Sequence, residues 1–332
     1  MKKKLTWLAA LIVLFGVCFV ISGKEAVSAQ AAEHVSRITE IWTEDSGNQS
    51  IIDETSMYLM GYVWAVRQNN GRYYVYYSKT LSNKGRYLFQ TQPDVVPQGV
   101  IFTDSYVYFT QDSADGLKHY VYQVNLSGTR KMTRLFGFKS KTAATASLWN
   151  YYNGVIYYYY GDNQTGNLYR YDMATKVKKG CKANTFYESG YGQYIYMRDA
   201  GTNTARIFDC SQNKVVKKIN APSGYMLDFF NLFDTDNGYK PFIGYRKHNF
   251  ENDKMMVTLS VYAMDLDGTG LKKFVEYTGE NALTYLASDK GVLFYLDPSS
   301  DGAQEHYDFV TPAGEVTQFE TYNDYLKWHH GD

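Results

Sequence analysis

An excess of charge of either sign is missing from this chain: 34 Lys and Arg balance 34 Asp and Glu over 332 residues. That removes both the basic footprint that binds phosphate backbones and any acidic tail, so nucleic acid is not an expected partner. Cysteine is scarce, with 3 residues, and Cys18 falls in an apolar N-terminal run, leaving Cys181 and Cys210. A bridge between those two stays open, because a sequence alone does not place two Cα atoms within reach. The histidines, His34, His119, His248, His306, His329 and His330, never recur at ligand spacing, so no metal and no cofactor is expected. Long stretches of helical apolar periodicity are also few.

What the chain has instead is tyrosine, 33 residues of it, with 18 Phe. The pattern is clearest from Asn153 to Lys179, NGVIYYYYGDNQTGNLYRYDMATKVKK. Val155 to Tyr160 is an apolar and aromatic run, a polar turn follows, and Leu168 to Tyr171 leads into the turn Asp172-Met173-Ala174-Thr175. Tyr, Val and Ile fit a pleated surface, and glycines interrupt the runs within ten residues, so strands are expected here rather than a helix.

That turn chemistry returns along the chain. Its counterparts begin at Ser78, Asn125, Asp209, Asp265 and Thr311, at intervals of 47, 47, 37, 56 and 46 residues. A return of about 40 to 50 residues with four short strands per unit describes propeller blades. The units run from Ile51 to Thr91, Gln98 to Phe136, Ala146 to Lys179, Thr185 to Ile219, Tyr225 to Glu276 and Leu283 to Glu320, the fifth carrying an insertion at Lys247 to Lys254. The fold expected is all-β, a six-bladed β-propeller of four-stranded antiparallel blades, with seven blades as the alternative count.

Residues 1–31 read as a signal peptide: Lys2, Lys3 and Lys4, the apolar run Leu5 to Ile21, then small residues around Ala29 and Ala31. Contact with a membrane is expected only through this segment, if it is not cleaved. Residues 32–49 hold a short strand, and Ile38 to Trp42 is a candidate latch that would pair with the last blade near Val316 to Phe319 and close the ring. Residues 50–321 form the propeller and 322–332 a C-terminal tail, in which His329 and His330 are expected to be solvated. The C-terminal residues show no LPxTG-like sorting signal, so export without a wall anchor is expected.

Asn153-Gly154-Val155-Ile156-Tyr157-Tyr158, Leu168-Tyr169-Arg170-Tyr171-Asp172 and Tyr262-Ala263-Met264-Asp265-Leu266-Asp267-Gly268-Thr269 resemble the Tyr-rich bacterial propeller domains related to the YWTD propeller of low-density-lipoprotein receptors. The likeness is strong in the third and fifth units and weak in the first and last, and the YWTD tetrapeptide itself is absent. The resemblance implies an exported binding or scaffolding module and carries over no catalytic residue.

In a propeller the first strand of each blade lines the channel, which nominates Asp53, Glu54, Asp104, Glu188, Asp228, Asp234, Asp236, Glu280 and Asp289 as channel acids. A glycosidase would need two of them facing one cleft, but their number is near what chance scatters, so no catalytic residue is assigned. Asp265-Leu266-Asp267-Gly268 lacks the later ligands of a calcium loop and reads as a turn. Trp149, Tyr151 and Tyr152 are the candidate ligand-binding patch, a flat aromatic surface beside the channel. The function expected is non-catalytic binding of a protein or glycan at the cell surface by a secreted monomer from a Gram-positive-type bacterium. An extracellular polysaccharide glycosidase or lyase, or a structural module of the cell envelope, are the alternatives.

Overall fold

In the computed structural model the described residues are 36–38, 50–51, 62–78, 86–91, 93, 98–103, 105–113, 115–127, 131–139, 145–161, 166–184, 186–199, 202–233, 235–251, 254–297 and 304–330. The signal-peptide reading of residues 1–31, and most of the first predicted strand, lie outside them. Among the described residues no helix is long and apolar enough to cross a membrane.

The strands form six antiparallel sheets in chain order. Blade 1 holds β2 (Ser50–Ile51), β3 (Tyr62–Arg67), β4 (Tyr73–Ser78) and β5 (Arg86–Gln90). Blade 2 holds β6 (Gln98–Phe102), β7 (Tyr106–Asp112), β8 (Lys118–Asn125) and β9 (Met132–Lys139). Blade 3 is β10 (Thr145–Tyr152), β11 (Val155–Gly161), β12 (Asn167–Asp172) and β13 (Val177–Asn184). Blade 4 is β14 (Phe186–Tyr191), β15 (Tyr194–Arg198), β16 (Thr204–Asp209) and β17 (Lys214–Asn220). Blade 5 is β18 (Met226–Phe233), β19 (Lys240–Glu251), β20 (Lys254–Ala263) and β21 (Lys272–Glu280). Blade 6 is β22 (Ala282–Ala287), β23 (Val292–Leu296), β24 (His306–Val310) and β25 (Val316–Phe319), followed by a helix, α1 (Tyr322–His330). The first strands β6, β10, β14 and β18 pack side by side, the arrangement of a six-bladed propeller.

The aromatic runs follow from this geometry. A second strand is sandwiched between two neighbouring blades, so both of its faces are buried and apolar residues need not alternate with polar ones. In β11, Ile156 and Tyr158 join the cluster with blade 2, whereas Tyr157 and Tyr159 join the cluster with blade 4. Each pair of successive blades shares one such core. Fourth strands lie at the outside and carry lysines, among them Lys178 and Lys179 on β13, Lys217 and Lys218 on β17, and Lys272 and Lys273 on β21. Charge on an edge strand blocks pairing with another chain's sheet.

Tyrosine hydroxyls tie blades together. Tyr157 Oη donates to the Cys210 carbonyl at 2.9 Å, and Tyr196 Oη to the Leu266 carbonyl at 2.8 Å, each from a second strand to the outer turn of the next blade. Burial pushes both phenols far above their ordinary value, so they remain donors at any ordinary pH. Tyr157→Phe and Tyr196→Phe are each expected to cost about 1 kcal/mol in urea unfolding. Unchanged midpoints in both variants would remove the clasp as a stabilising element.

Three elements depart from the sequence reading. The N-terminal strand, β1 (Ser36–Ile38), is not on the last blade: it pairs antiparallel with β6, Ser36 opposite Phe102 and Ile38 opposite Val100. A sheet edge presents unpaired backbone N–H and C=O groups to any extended segment within reach, and the inner edge of blade 2 is the one taken here. Residues 39–42 of the predicted latch lie outside the described residues. The insertion expected at Lys247 to Lys254 is instead a prolonged hairpin, with β19 and β20 paired out to Glu251 opposite Lys254. The C-terminal tail is helix α1, and its residue Tyr325 is fully buried against Phe309 and Phe319. Val292 and Phe294 face blade 5, while Leu293, one residue out of phase, faces α1. The helix therefore covers the side of blade 6 that a following blade covers elsewhere.

Candidate functional site

The first strands share a feature that no repeat in the sequence announced. Pairing with the second strand slips between Leu148 and Asn150, between Tyr187 and Ser189, between Leu227 and Phe229, and between Thr284 and Leu286. Trp149, Glu188, Asp228 and Tyr285 are thus the bulged residues of blades 3 to 6. A bulge re-aims its side chain and increases local twist, and here it recurs where the strands crowd the axis. Gly190 marks the tightness, since a Cβ there would sit 2.8 Å from the Trp149 carbonyl oxygen.

The bulge corrects the proposed aromatic patch. Strict alternation would set Trp149 and Tyr151 on one side of β10, but Leu148 and Tyr151, three apart, both face blade 2, while Trp149 and Tyr152 face blade 4. Trp149 is 2% exposed and stacks on Tyr159 at 5.0 Å; Tyr151 is 8% exposed and stacks on Tyr108 at 5.3 Å. Tyr152 is half-buried. The three rings are split between two inter-blade cores and form no shared surface. Between them sits Asn150, which the sequence reading passed over: its Nδ2 donates to the Gly192 carbonyl of blade 4 at 3.0 Å.

Of the described candidate acids, Asp236 and Asp289 lie at neighbouring turns of blades 5 and 6, and Asp228 and Glu280 stand on other strands. Asp53, Glu54, Asp104 and Asp234 lie outside the described residues, and Glu188 is placed only as the bulged position of β14. Asp228 is ion-paired with Arg246, and the Arg198 guanidinium donates to its carbonyl at 3.3 Å. Glu280 ends an outer strand, not an inner one, and meets Lys254 at 2.8 Å. Asp289 accepts from Asn237 Nδ2 at 2.9 Å, with Lys240 at 3.7 Å, and Asp236 meets Lys290 at 3.2 Å. Burial pushes the Asp289 carboxyl up, but the bonds from Asn237 and Thr235 and the Lys240 charge outweigh it, leaving it below the usual carboxylate range.

Other titratable groups have structural employment. His119 Nδ1 lies 2.7 Å from Asp112, but the ring is fully buried between Phe138 and Tyr160, out of reach of a substrate. The outer-turn carboxylates are spent on their own backbone. Asp172 Oδ1 accepts from the Ala174 and Thr175 amides, Asp209 Oδ1 from Ser211 and Gln212, and Asp267 Oδ1 from Thr269. Among the described residues no group of three His, Cys, Asp or Glu could hold a metal ion.

Cys181 and Cys210 share the core between blades 3 and 4 but are not bridged. Cys181 Sγ lies 3.7 Å from Asn213 Oδ1, in the turn that begins at Cys210. Burial pushes the Cys181 thiol up to about 12 and raises that of Cys210 as well. Because the thiolate is the reacting form, an aromatic disulfide reagent at pH 8 is expected to leave both thiols of the folded chain unlabelled over minutes and to titrate both in urea. Rapid labelling of the folded chain would contradict this, and no labelling in urea would reveal a bridge.

One open cleft stands between blades 5 and 6 at the face of the outer turns, with a volume of about 400 Å³. Lys240 opens β19 and Lys272 and Lys273 open β21, and all three residues line it, although the Lys273 ammonium turns away to Glu276. Ala263, Phe274 and Pro312 supply an apolar lining, and Met264, Asp265 and Gly270 the turn on one side. That turn is fastened by the Asp265 amide to the Thr269 carbonyl at 2.9 Å and by the Thr269 hydroxyl to Asp265 Oδ2 at 3.2 Å. Nothing in the spacing of these lysines marked them beforehand; they meet because two strand starts and a turn converge.

No family model matches the chain, and no curated protein matches it. Among solved structures it is similar to an uncharacterized protein of Listeria monocytogenes EGD-e, with 11% identity over 84% of this chain and 85% of the other and a TM-score of 0.50. It is also similar to the β-propeller domain of the Trilobed protease from Pyrococcus furiosus, described as having an open velcro topology (10% identity, 66% and 67% covered, TM-score 0.37). A third is TolB from Acinetobacter baumannii (11% identity, 77% and 67% covered, TM-score 0.34). At such identities the likeness speaks to fold and not to activity.

Proposed function

We propose that this chain is an exported, non-catalytic β-propeller that binds a protein or a glycan at the cell surface of a Gram-positive-type bacterium, working as a monomer. The finer resemblance, to the Tyr-rich relatives of the YWTD propeller, supports a binding role over an enzymatic one. The observation that carries the reading is the contrast between the blade 5/6 cleft and the acids. The cleft offers cations above an apolar floor, the usual make-up of a small-ligand site. Of the candidate acids, Asp228 is engaged by Arg246, Asp236 by Lys290 and Glu280 by Lys254, and a carboxylate held by a cation is a poor proton donor.

Co-sedimentation of the chain lacking residues 1–31 with isolated bacterial cell walls and insoluble polysaccharides, with soluble glycans as competitors, tests the proposal. Binding is expected, with no release of reducing sugar from the polysaccharide. Release of sugar would replace this reading with a polysaccharide-cleaving one. Failure to bind any wall or glycan would remove the glycan arm, and capture of partners from membrane and secreted fractions would then decide the protein arm.

A further inference from the structure

We propose that the cleft between blades 5 and 6 is the binding site for an acidic sugar unit, a ring bearing a carboxylate or phosphate; this rests on the binding role put forward above and names the ligand class for it. The chemistry is divided between the walls. Lys272 has no ion-pair or hydrogen-bond partner among the described residues, so its ammonium is available to an incoming anion. Lys240 is held only loosely, 3.7 Å from Asp289, while Lys273 is anchored by Glu276 at 2.8 Å. An anion entering at Lys272 therefore finds a second cation able to turn toward it without breaking a tight pair.

The rest of the cleft suits the body of a sugar rather than a bare ion. Phe274 is half-buried, its ring edge fixed against Phe242 at 5.4 Å, and with Pro312 it offers an apolar surface for the carbon face of a pyranose. Asp265 has one carboxylate oxygen occupied by the Thr269 hydroxyl and retains acceptor capacity for a sugar hydroxyl. The turn that carries it is preorganised: a Cβ on Gly270 would come within 2.8 Å of Asp265 Oδ2, and Gly270 has φ +64°. Little ordering cost attaches to that wall on binding. The volume, about 400 Å³, lies in the lower range for ligand pockets, the size of one or two sugar rings rather than a long chain.

Calorimetric titration of the chain lacking residues 1–31 with a galacturonate trimer, a sugar phosphate and a neutral galactose trimer provides the test. Acidic ligands are expected to bind at least tenfold more tightly than the neutral one, with affinity falling as salt rises. Lys272→Ala should weaken the acidic ligands about fivefold to tenfold, as removal of one charge-assisted contact does, and Lys240→Ala with Lys272→Ala should bring them to the neutral level. Lys179→Ala, on the outer strand of blade 3, is the control and should change nothing. Preference between the galacturonate and the phosphate identifies which anion the site takes. Equal binding of neutral and acidic sugars, no effect of Lys272→Ala, or no saturable binding up to about 10 mM would overturn the assignment. Wall co-sedimentation with the double lysine variant separates the two failures: retained wall binding leaves the binding role standing without this cleft, and loss of binding in the unaltered chain defeats both.

Discussion

Tyr325→Ala is expected to destabilise the protein by about 3 to 5 kcal/mol, whereas Tyr325→Phe should be neutral or slightly stabilising. The residue is fully buried, with Phe309 at 5.8 Å and Phe319 at 5.7 Å between ring centroids, and it holds α1 on blade 6. Removing a buried aromatic ring loses its transfer energy and leaves a cavity. Without the ring, α1 has little else fully buried, and Leu293, Phe309 and Phe319 lose their cover. The hydroxyl gives nothing back: Tyr325 Oη is buried and has no partner among the described residues, and burial raises this phenol to about 12. An unpaired buried hydroxyl costs on the order of 1 kcal/mol, so its deletion relieves that cost. Urea unfolding of the two variants checks the argument. A destabilised Phe variant would mean that the hydroxyl is bonded, and a mild Ala variant would mean that α1 is dispensable.

The same helix shows where sequence reading stopped short. Blades were legible because their signal repeats: an apolar second strand, a polar turn and an outer turn opened by Asp, Asn, Ser or Thr return six times, and the structure places a sheet at each. Asn153 and Gly154 both take positive φ, 46° and 75°, the conformation that an Asn-Gly hairpin turn calls for. Helix α1 occurs once and is short, so no repeat drew attention to it. Its local signal was nevertheless present. Thr321 and Asp324 form a capping pair, the Asp324 amide donating to Thr321 Oγ1 at 3.2 Å and the Thr321 hydroxyl to Asp324 at 2.6 Å. Tyr322, Tyr325, Leu326 and His329 follow at helical spacing.

The candidate site was less legible for a different reason. The bulge at Trp149 shifts the strand by one residue, and alternation read along the sequence assigns every later side chain to the wrong face. Lys240, Lys272 and Pro312 are 72 residues apart from first to last and carry no common motif. Only the packing of blade 5 on blade 6 brings them to one cleft.

Arg246→Ala is the second change expected to be severe, at about 3 to 5 kcal/mol. Asp228 is a bulged residue of an inner strand with a side chain 8% exposed, and Arg246 on β19 is its ion-pair partner. Taking the arginine away leaves a carboxylate with little water and without its ion-pair partner, which costs far more than the pair contributes while intact. The Arg198 guanidinium is already bonded to the Asp228 carbonyl, at 3.3 Å. Two further variants separate the loss of the pair from the stranding of a charge. Asp228→Asn alone removes the charge, leaves an amide able to accept a hydrogen bond from Arg246, and should cost no more than about 2 kcal/mol. Asp228→Asn combined with Arg246→Ala should then be more stable than Arg246→Ala alone, by roughly 1 to 3 kcal/mol in a double-mutant cycle. If the double variant were the sum of the two single ones, Asp228 and Arg246 would be independent. Asp228 would then hold its charge through solvent at the channel, and the case for reading it as a structural rather than a proton-transferring acid would fall with the pair.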